Sequence, residues 1–404
     1  MTATLPATGW IDSQIPELRD ELLRLSNINS GSFNAAGVNA VAARLAERFA
    51  ALGGQAEWLD VAPHRDTNDR GEWRSRDLGR ALRIRKRSEA PLRVFLCGHL
   101  DTVFAPDHPF RQAQQSGSDT LHGPGVADLK GGLLVMWLAL MLLEQSPHRE
   151  RIGWEVLMNP DEEIGSIGSA PLLTEAAARN HFGLVYEPAF ADGGLASARK
   201  GSGNFDIVVR GRAAHAGRNP EDGRNAIALA AGLASELHAL NGRRTDFSVN
   251  VGYVHGGGAL NIVPDLCVLK FNVRTGAHGD EHWLRSELDR LLAAAQTHDG
   301  YALELRGGFT RAPKPVSAGT ARLQELLSDC GRQIGIDLQF RPTGGCCDGN
   351  NLAAAGLPNV DNLGVVGGDI HSDREWMKIS SIAERAGLSA LLLLRLANNE
   401  LTWD

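Results

Sequence analysis

Residues 152–165 read I-G-W-E-V-L-M-N-P-D-E-E-I-G, an apolar run closed by two adjacent glutamates, Glu162 and Glu163. The run is the length of a buried strand and is stopped by the turn-forming N-P-D, so the glutamates fall where a strand ends. Residues 92–103, L-R-V-F-L-C-G-H-L-D-T-V, repeat the arrangement with His99 and Asp101, and residues 182–187, F-G-L-V-Y-E, end on Glu187. In open α/β sheets the carboxyl edge of the strands is where ligands bind. Asp128 closes the turn G-P-G-V-A-D, and His371 stands in G-G-D-I-H-S after the late run N-L-G-V-V, so both can join that rim. Water activation needs nitrogen ligands, anionic oxygen ligands and one unligated carboxylate to carry a proton. These segments offer all three, which makes hydrolysis the leading reading.

Between these strands lie helical stretches, such as residues 129–144, and the alternation predicts an α/β fold with a mostly parallel sheet flanked by helices. Two amphipathic helices precede it, marked by Leu18, Leu22 and Leu25 and then by Val38, Val41, Leu45 and Phe49. The basic stretch from His64 to Arg93 is read as solvated, with R-A-L-R-I-R-K turning through S-E-A-P into L-R-V-F-L-C as a hairpin. From about residue 203 the order becomes strand, helix, strand, strand, helix, strand, the β-α-β-β-α-β signature of a ferredoxin-like unit. Its flanks, S-A-R-K-G-S-G and R-G-G-F-T-R-A-P-K-P, have hinge composition. The division expected is therefore residues 1–200 plus 311–404 as one domain, with residues 201–310 inserted.

A chain of 404 residues has room for two domains. Its 43% hydrophobic and 22% charged residues are those of an ordinary soluble globular protein. A net charge of -7 argues against a nucleic-acid partner, whose phosphates demand excess Lys and Arg. The opening M-T-A-T-L-P-A-T-G-W lacks a basic segment followed by an apolar one, so no export signal is read. The apolar stretch 133–143 falls short of the roughly 20 residues of a membrane span and is read as a core helix. Five cysteines, with Cys346 and Cys347 adjacent, make no disulfide framework, and a cytoplasmic location is expected.

Seven ordered motifs make the chain recognisable: G-H-L-D-T-V, G-P-G-V-A-D-L-K-G-G, N-P-D-E-E-I-G-S, V-Y-E-P, R-G-R-A-A-H-A-G, G-G-G-A-L-N-I-V-P and G-D-I-H-S. Together they resemble the zinc-dependent metallopeptidase family of aminoacylase, acetylornithine deacetylase, succinyl-diaminopimelate desuccinylase and bacterial glutamate carboxypeptidase, the last branch being nearest. The resemblance implies two Zn²⁺ per subunit, with Co²⁺ or Mn²⁺ as substitutes. It places one on His99 and Glu187, the other on Glu163 and His371, and Asp128 between them. Glu162 stays unligated as general base and then acid. Asp101 orients the His99 imidazole. His215, in A-A-H-A-G, polarises the scissile carbonyl from a lid that also forms a homodimer. Two dications against three carboxylates leave one positive charge, which hydroxide cancels, so a substrate carboxylate needs further cations. Arg311 and Lys200, with Asn261 as an amide partner, are the candidates.

Other signals are weaker. Gly123-Pro124-Gly125 imitates a dinucleotide fingerprint but puts a carboxylate at its end, and His255 to Gly258 lacks the G-x-S-x-G that a serine hydrolase requires. Cys346 and Cys347 are read as small buried residues near the site, and Asp348 as a turn residue at its rim. Three functions remain open: carboxypeptidase-type release of a C-terminal amino acid such as glutamate from a small peptide or N-acyl conjugate, deacylation of an N-acyl amino acid, and binding without catalysis.

Overall fold

The computed structural model describes residues 8–403. The initial M-T-A-T-L-P-A, on which most of the reading of the amino terminus rests, lies outside them. Helices Thr8–Ser26 and Ala35–Ala50 form where the leucine and valine spacing places them, and the marked side chains of both are fully buried. Asn34 caps the second by accepting from the Gly37 amide.

The main sheet has six strands in the order Gln55–Leu59, Ala81–Lys86, Ile152–Asn159, Leu92–His99, Phe182–Val185 and Asn359–Val360. The last four are mutually parallel and the first two antiparallel to their neighbours, a mixed sheet of the expected class. Helices Gly131–Glu144 and Ser381–Ala397 pack on it and share one large core with the amino-terminal helices. Val126–Glu144 is apolar enough to cross a bilayer by composition, but it is interrupted at Asp128 and Leu129 and buried in that core. A helix apolar on all sides is what a protein interior accepts.

The hairpin expected over residues 80–97 does not form. Ile152–Asn159 lies between Ala81–Lys86 and Leu92–His99 and pairs with both. All eight of its residues are buried, so it requires a neighbour on each edge as well as cover on each face. The basic stretch is also less solvated than its composition suggests. Arg83 is buried against Glu57, while His64–Thr67 and Trp73–Arg76 make a separate ribbon.

The second sheet is antiparallel, in the order Ala302–Arg311, Gly201–Arg210, Leu266–Thr275, Ser248–Gly256. Numbered along the chain these are 4-1-3-2, the ferredoxin-like arrangement. Alternate residues Phe205, Ile207, Val209 and Leu269, Phe271, Val273 form its own core with helices Ala226–His238 and Gly279–Gln296. The two connecting segments are laced together, Arg199 and Lys314 exchanging main-chain hydrogen bonds at 3.0 and 2.9 Å. Both side chains converge on the buried Asp361.

Gly132 is one position where absence of a side chain is required: a Cβ there would lie 2.2 Å from the Tyr186 carbonyl oxygen. Gly132→Ala must push helix Gly131–Glu144 off the strand that leads to Glu187. The expected cost is about 1–3 kcal/mol, seen as a lower urea midpoint; an unchanged midpoint contradicts the packing.

Candidate metal centre

The register of the parallel strands brings the acidic residues to one level. His99 pairs with Asn159, three residues before Glu162, and Cys97 pairs with Val185, which sets Glu187 beside His99. Asp128 arrives on the irregular turn before helix Gly131–Glu144. His371 follows the short strand Gly367–Gly368 and has left-handed backbone, φ 63°. Histidine is among the residues that tolerate this region, and such residues concentrate at functional sites.

The two imidazoles face the two oxygens of one carboxylate. His99 Nε2 is 3.1 Å from Asp128 Oδ1, and His371 Nε2 is 3.2 Å from Asp128 Oδ2. His371 Nε2 is also 3.2 Å from Glu163 Oε2, and His99 Nε2 is 4.0 Å from Glu187 Oε1. His99 Nδ1 lies 2.9 Å from the Asp101 carbonyl, so it donates there and Nε2 turns a lone pair toward a carboxylate. That contact is repulsive unless a proton or a metal ion lies between. Ligands about 2.0–2.2 Å from a tetrahedral ion stand a little over 3 Å apart, so the spacing and donor types fit zinc.

The electrostatics make the same demand. Burial and then Asp128 push Glu163 up to about 8, while burial followed by Glu162 and Asp128 pushes Glu187 well above the carboxylate range. Hydrogen bonds to Asp128 and Glu163 lift His371 to about 11. Protons retained this tightly mark where positive charge belongs. Distance does not single out Glu162, which can share a ligand group with His99 and Glu187. Its partner does: Arg311 Nη2 sits 2.8 Å from Glu162 Oε1.

Asp128, Glu162, Glu163, Glu187 and His371 line one cleft of about 340 Å³, together with Arg199, Phe190, Ile370 and Cys346. The other candidates are placed differently. Asp101 meets the imidazole through its main-chain carbonyl, its carboxylate being 3.4 Å away. That carboxylate instead accepts from the amides of Glu162 and Glu163 at 3.1 and 3.2 Å and from Ser32 at 2.7 Å. Arg311 reaches the site but is buried and held by internal partners, not displayed to the cleft. Lys200 pairs with Asp246, 3.1 Å away, outside the cleft lining. His215 and Asn261 meet in one exposed loop cluster of the second sheet unit, also outside that lining. Cys347 is buried and caps helix Asp348–Ala354, whereas Cys346 is half-exposed on the cleft wall. Asp348 is buried, not at the rim.

Glu375 carries no signal in the sequence. Its buried carboxylate accepts from the amides of Gly125, Ala127 and Asp128 at 2.9, 2.9 and 3.0 Å and so fixes the turn that presents Asp128.

The fold and this cluster define a metallohydrolase, and comparison with known proteins gives the family. Residues 95–395 match Peptidase family M20/M25/M40, and the chain belongs to it. Membership implies a dinuclear metal site. The chain is 29% identical to carboxypeptidase G2 of Pseudomonas sp. (strain RS-16) over 311 residues, 75% of this chain and 74% of that one. It is 30% identical over 336 residues to succinyl-diaminopimelate desuccinylase of Xanthomonas oryzae pv. oryzae, 76% of this chain and 85% of that one. In fold it is similar to a di-peptidase from Saccharomyces cerevisiae, with TM-score 0.74 and 16% identity over 97% of this chain and 98% of the other.

Glu375→Ala removes all three acceptor contacts on the Asp128 turn. Metal affinity, measured by competition with a chromophoric chelator, is expected to fall about 10–100-fold with the fold intact. Wild-type affinity in that variant excludes the role.

Proposed function

We propose that the chain is a di-zinc hydrolase that cleaves an amide bond beside a free carboxylate, releasing a C-terminal amino acid such as glutamate from a peptide or N-acyl conjugate. The observation that carries this reading is how the carboxylates are partnered. Among the described residues, no Lys or Arg nitrogen lies within 4.0 Å of Asp128, Glu163 or Glu187, whose basic neighbours are the two imidazoles. Glu162 has Arg311 instead. Three carboxylates with no Lys or Arg in ion-pair contact among the described residues, together with the two imidazoles, would hold the metal pair, and the compensated Glu162 stays free to move a proton.

When bound, the metal pair supplies Lewis acidity for the scissile carbonyl and lowers the pKa of water. Glu162 accepts a proton from the attacking water and passes it to the departing amine. Burial raises its pKa and Arg311 draws it back, which suits a group that must take a proton and then release it. Asp101 holds the amides of both glutamates, so the proton carrier and its neighbouring ligand share one support. Residues 201–310 are taken as the lid. Because His215 and Asn261 lie on its exposed loops, they would serve the site after closure or from the partner subunit of a homodimer.

Similarity to carboxypeptidase G2 supports release of a C-terminal residue. Similarity to the desuccinylases supports a second reading, deacylation of an N-acyl amino acid, whose substrate likewise carries carboxylates. A panel of N-acyl glutamates, acetylated amino acids and dipeptides separates the two by relative kcat/KM.

Glu162→Gln is expected to keep about two metals per chain while losing about 10²–10⁴-fold in kcat. Metal analysis paired with turnover checks it, and full metal content with undiminished kcat overturns the assignment. Removing metal from the wild-type protein with a chelator is expected to abolish turnover, and added Zn²⁺ to restore it.

A further inference from the structure

We propose that the chain carries a second, non-catalytic binding site: a cleft for a small dianionic phosphate group, between Arg85 and Arg93 at the end of the main sheet away from the metal centre. The cleft, about 380 Å³, is lined chiefly by these two with Ser88, Glu155, Arg179 and Asn180. It opens where strands Leu92–His99 and Ile152–Asn159 begin, whereas His99 and Asn159 end them at the metal centre. Across the sheet Arg85 pairs with Glu155 and Arg93 with Gly153, so all four stand on one face with the central strand between the two cations. The turn that carries Ser88 is seated directly on Gly153, where a Cβ would lie 2.1 Å from the Arg87 carbonyl oxygen.

Cations at this edge are otherwise matched. Arg179 holds the buried Glu155 at 2.6 and 3.1 Å, Arg83 holds Glu57 at 2.6 Å, and Lys86 and Arg87 share Glu144 at 2.6 and 2.5 Å. Arg85 and Arg93 are the exceptions. Among the described residues Arg85 has one acid in range, Glu57 at 3.9 Å, which Arg83 already holds. Arg93 has none: its Nε donates to the Arg179 carbonyl at 2.7 Å and Nη1 to that of Ala90 at 3.2 Å, which fixes the guanidinium and leaves Nη2 without an acceptor among the described residues. Glu89, the other acid on the cleft, is exposed on the same turn and pairs with neither. Guanidinium N–H groups recognise phosphate and carboxylate oxygens alike. Two cations on opposite sides of one strand can take different oxygens of a tetrahedral group, and Ser88 adds a hydroxyl donor, whereas a planar carboxylate presents its oxygens in one direction.

The test is calorimetry at constant ionic strength on the metal-loaded full chain, with inorganic phosphate and O-phosphoserine as probes. Phosphate that settles on the metal pair contributes equally to every variant, so the difference between chains reads the far cleft. The wild type is expected to bind with a dissociation constant below about 1 mM, and Arg93→Gln and Arg85→Gln each to weaken that event about tenfold, the worth of one charge-assisted hydrogen bond. Arg85→Gln breaks no internal hydrogen bond, so it reports even where loss of the Arg93 contact with Arg179 lowers stability. Turnover without phosphate should stay at the wild-type level in both, since neither residue lines the metal cleft. Tighter binding of O-phosphoserine identifies a phosphate monoester as the ligand, and tighter binding of inorganic phosphate identifies the free ion. Equal affinity in the wild type and both variants, or a dissociation constant above about 1 mM, means an adventitious ion only and overturns the inference.

Discussion

Four carboxylates and the His371 imidazole line one cleft, with the buried His99 imidazole against Asp128 behind its wall, and the mutual repulsion of the acids in a poorly solvated site is the constraint around which the rest is arranged. The protein meets it unevenly. Around the cleft, Glu162, Asp348 and Asp361 each have a buried Arg or Lys as partner. Among the described residues, Asp128, Glu163 and Glu187 have none within ion-pair distance. An interior that compensates some acids with fixed cations and leaves others facing imidazoles has reserved the latter for charge from outside.

The sheet makes that reservation geometrically possible. Parallel pairing ends Leu92–His99, Ile152–Asn159 and Phe182–Val185 at a common edge, and each continues directly into its acidic or imidazole residue. Asp128 must reach the same point from a turn, and the turn is held by one buried carboxylate, Glu375, bonded to three of its amides. Strand ends thus fix four of the groups, and main-chain hydrogen bonding fixes a fifth.

What the sequence shows and hides follows from this. His99, Glu162, Glu163 and Glu187 were legible because each closes an apolar run, and a run and its end are contiguous. The inserted unit was legible because β-α-β-β-α-β is a local order. Strand pairing was not: residues 80–97 look like a hairpin until Ile152–Asn159, distant in the chain and buried throughout, takes the place between its arms. Nor were Glu375 and Ser32, which act on amides and on a carboxylate far along the chain and need no particular neighbours. Arg311 was visible as a cation near the site, but composition cannot say whether a guanidinium faces solvent or a buried acid. The structure finds the acid.

The inserted unit is accordingly more than a cover. Arg311 ends its final strand and reaches Glu162, and the paired Arg199 and Lys314 tie its connecting segments to Asp361 beneath the cleft. On its far side the ribbon of residues 64–76 lies against the same sheet. Arg306 bonds Thr67 and stacks over Trp73, Tyr253 bonds Asp69, and Arg210 bonds the Gly71 carbonyl. Contacts at both ends restrict how the unit can turn, while the segments between are short and rich in glycine and proline. Of the four cleft carboxylates, Glu162 alone among the described residues has its ion-pair partner on that sheet, because Arg311 closes strand Ala302–Arg311, so the inserted unit is joined to the main domain at the proposed proton carrier itself.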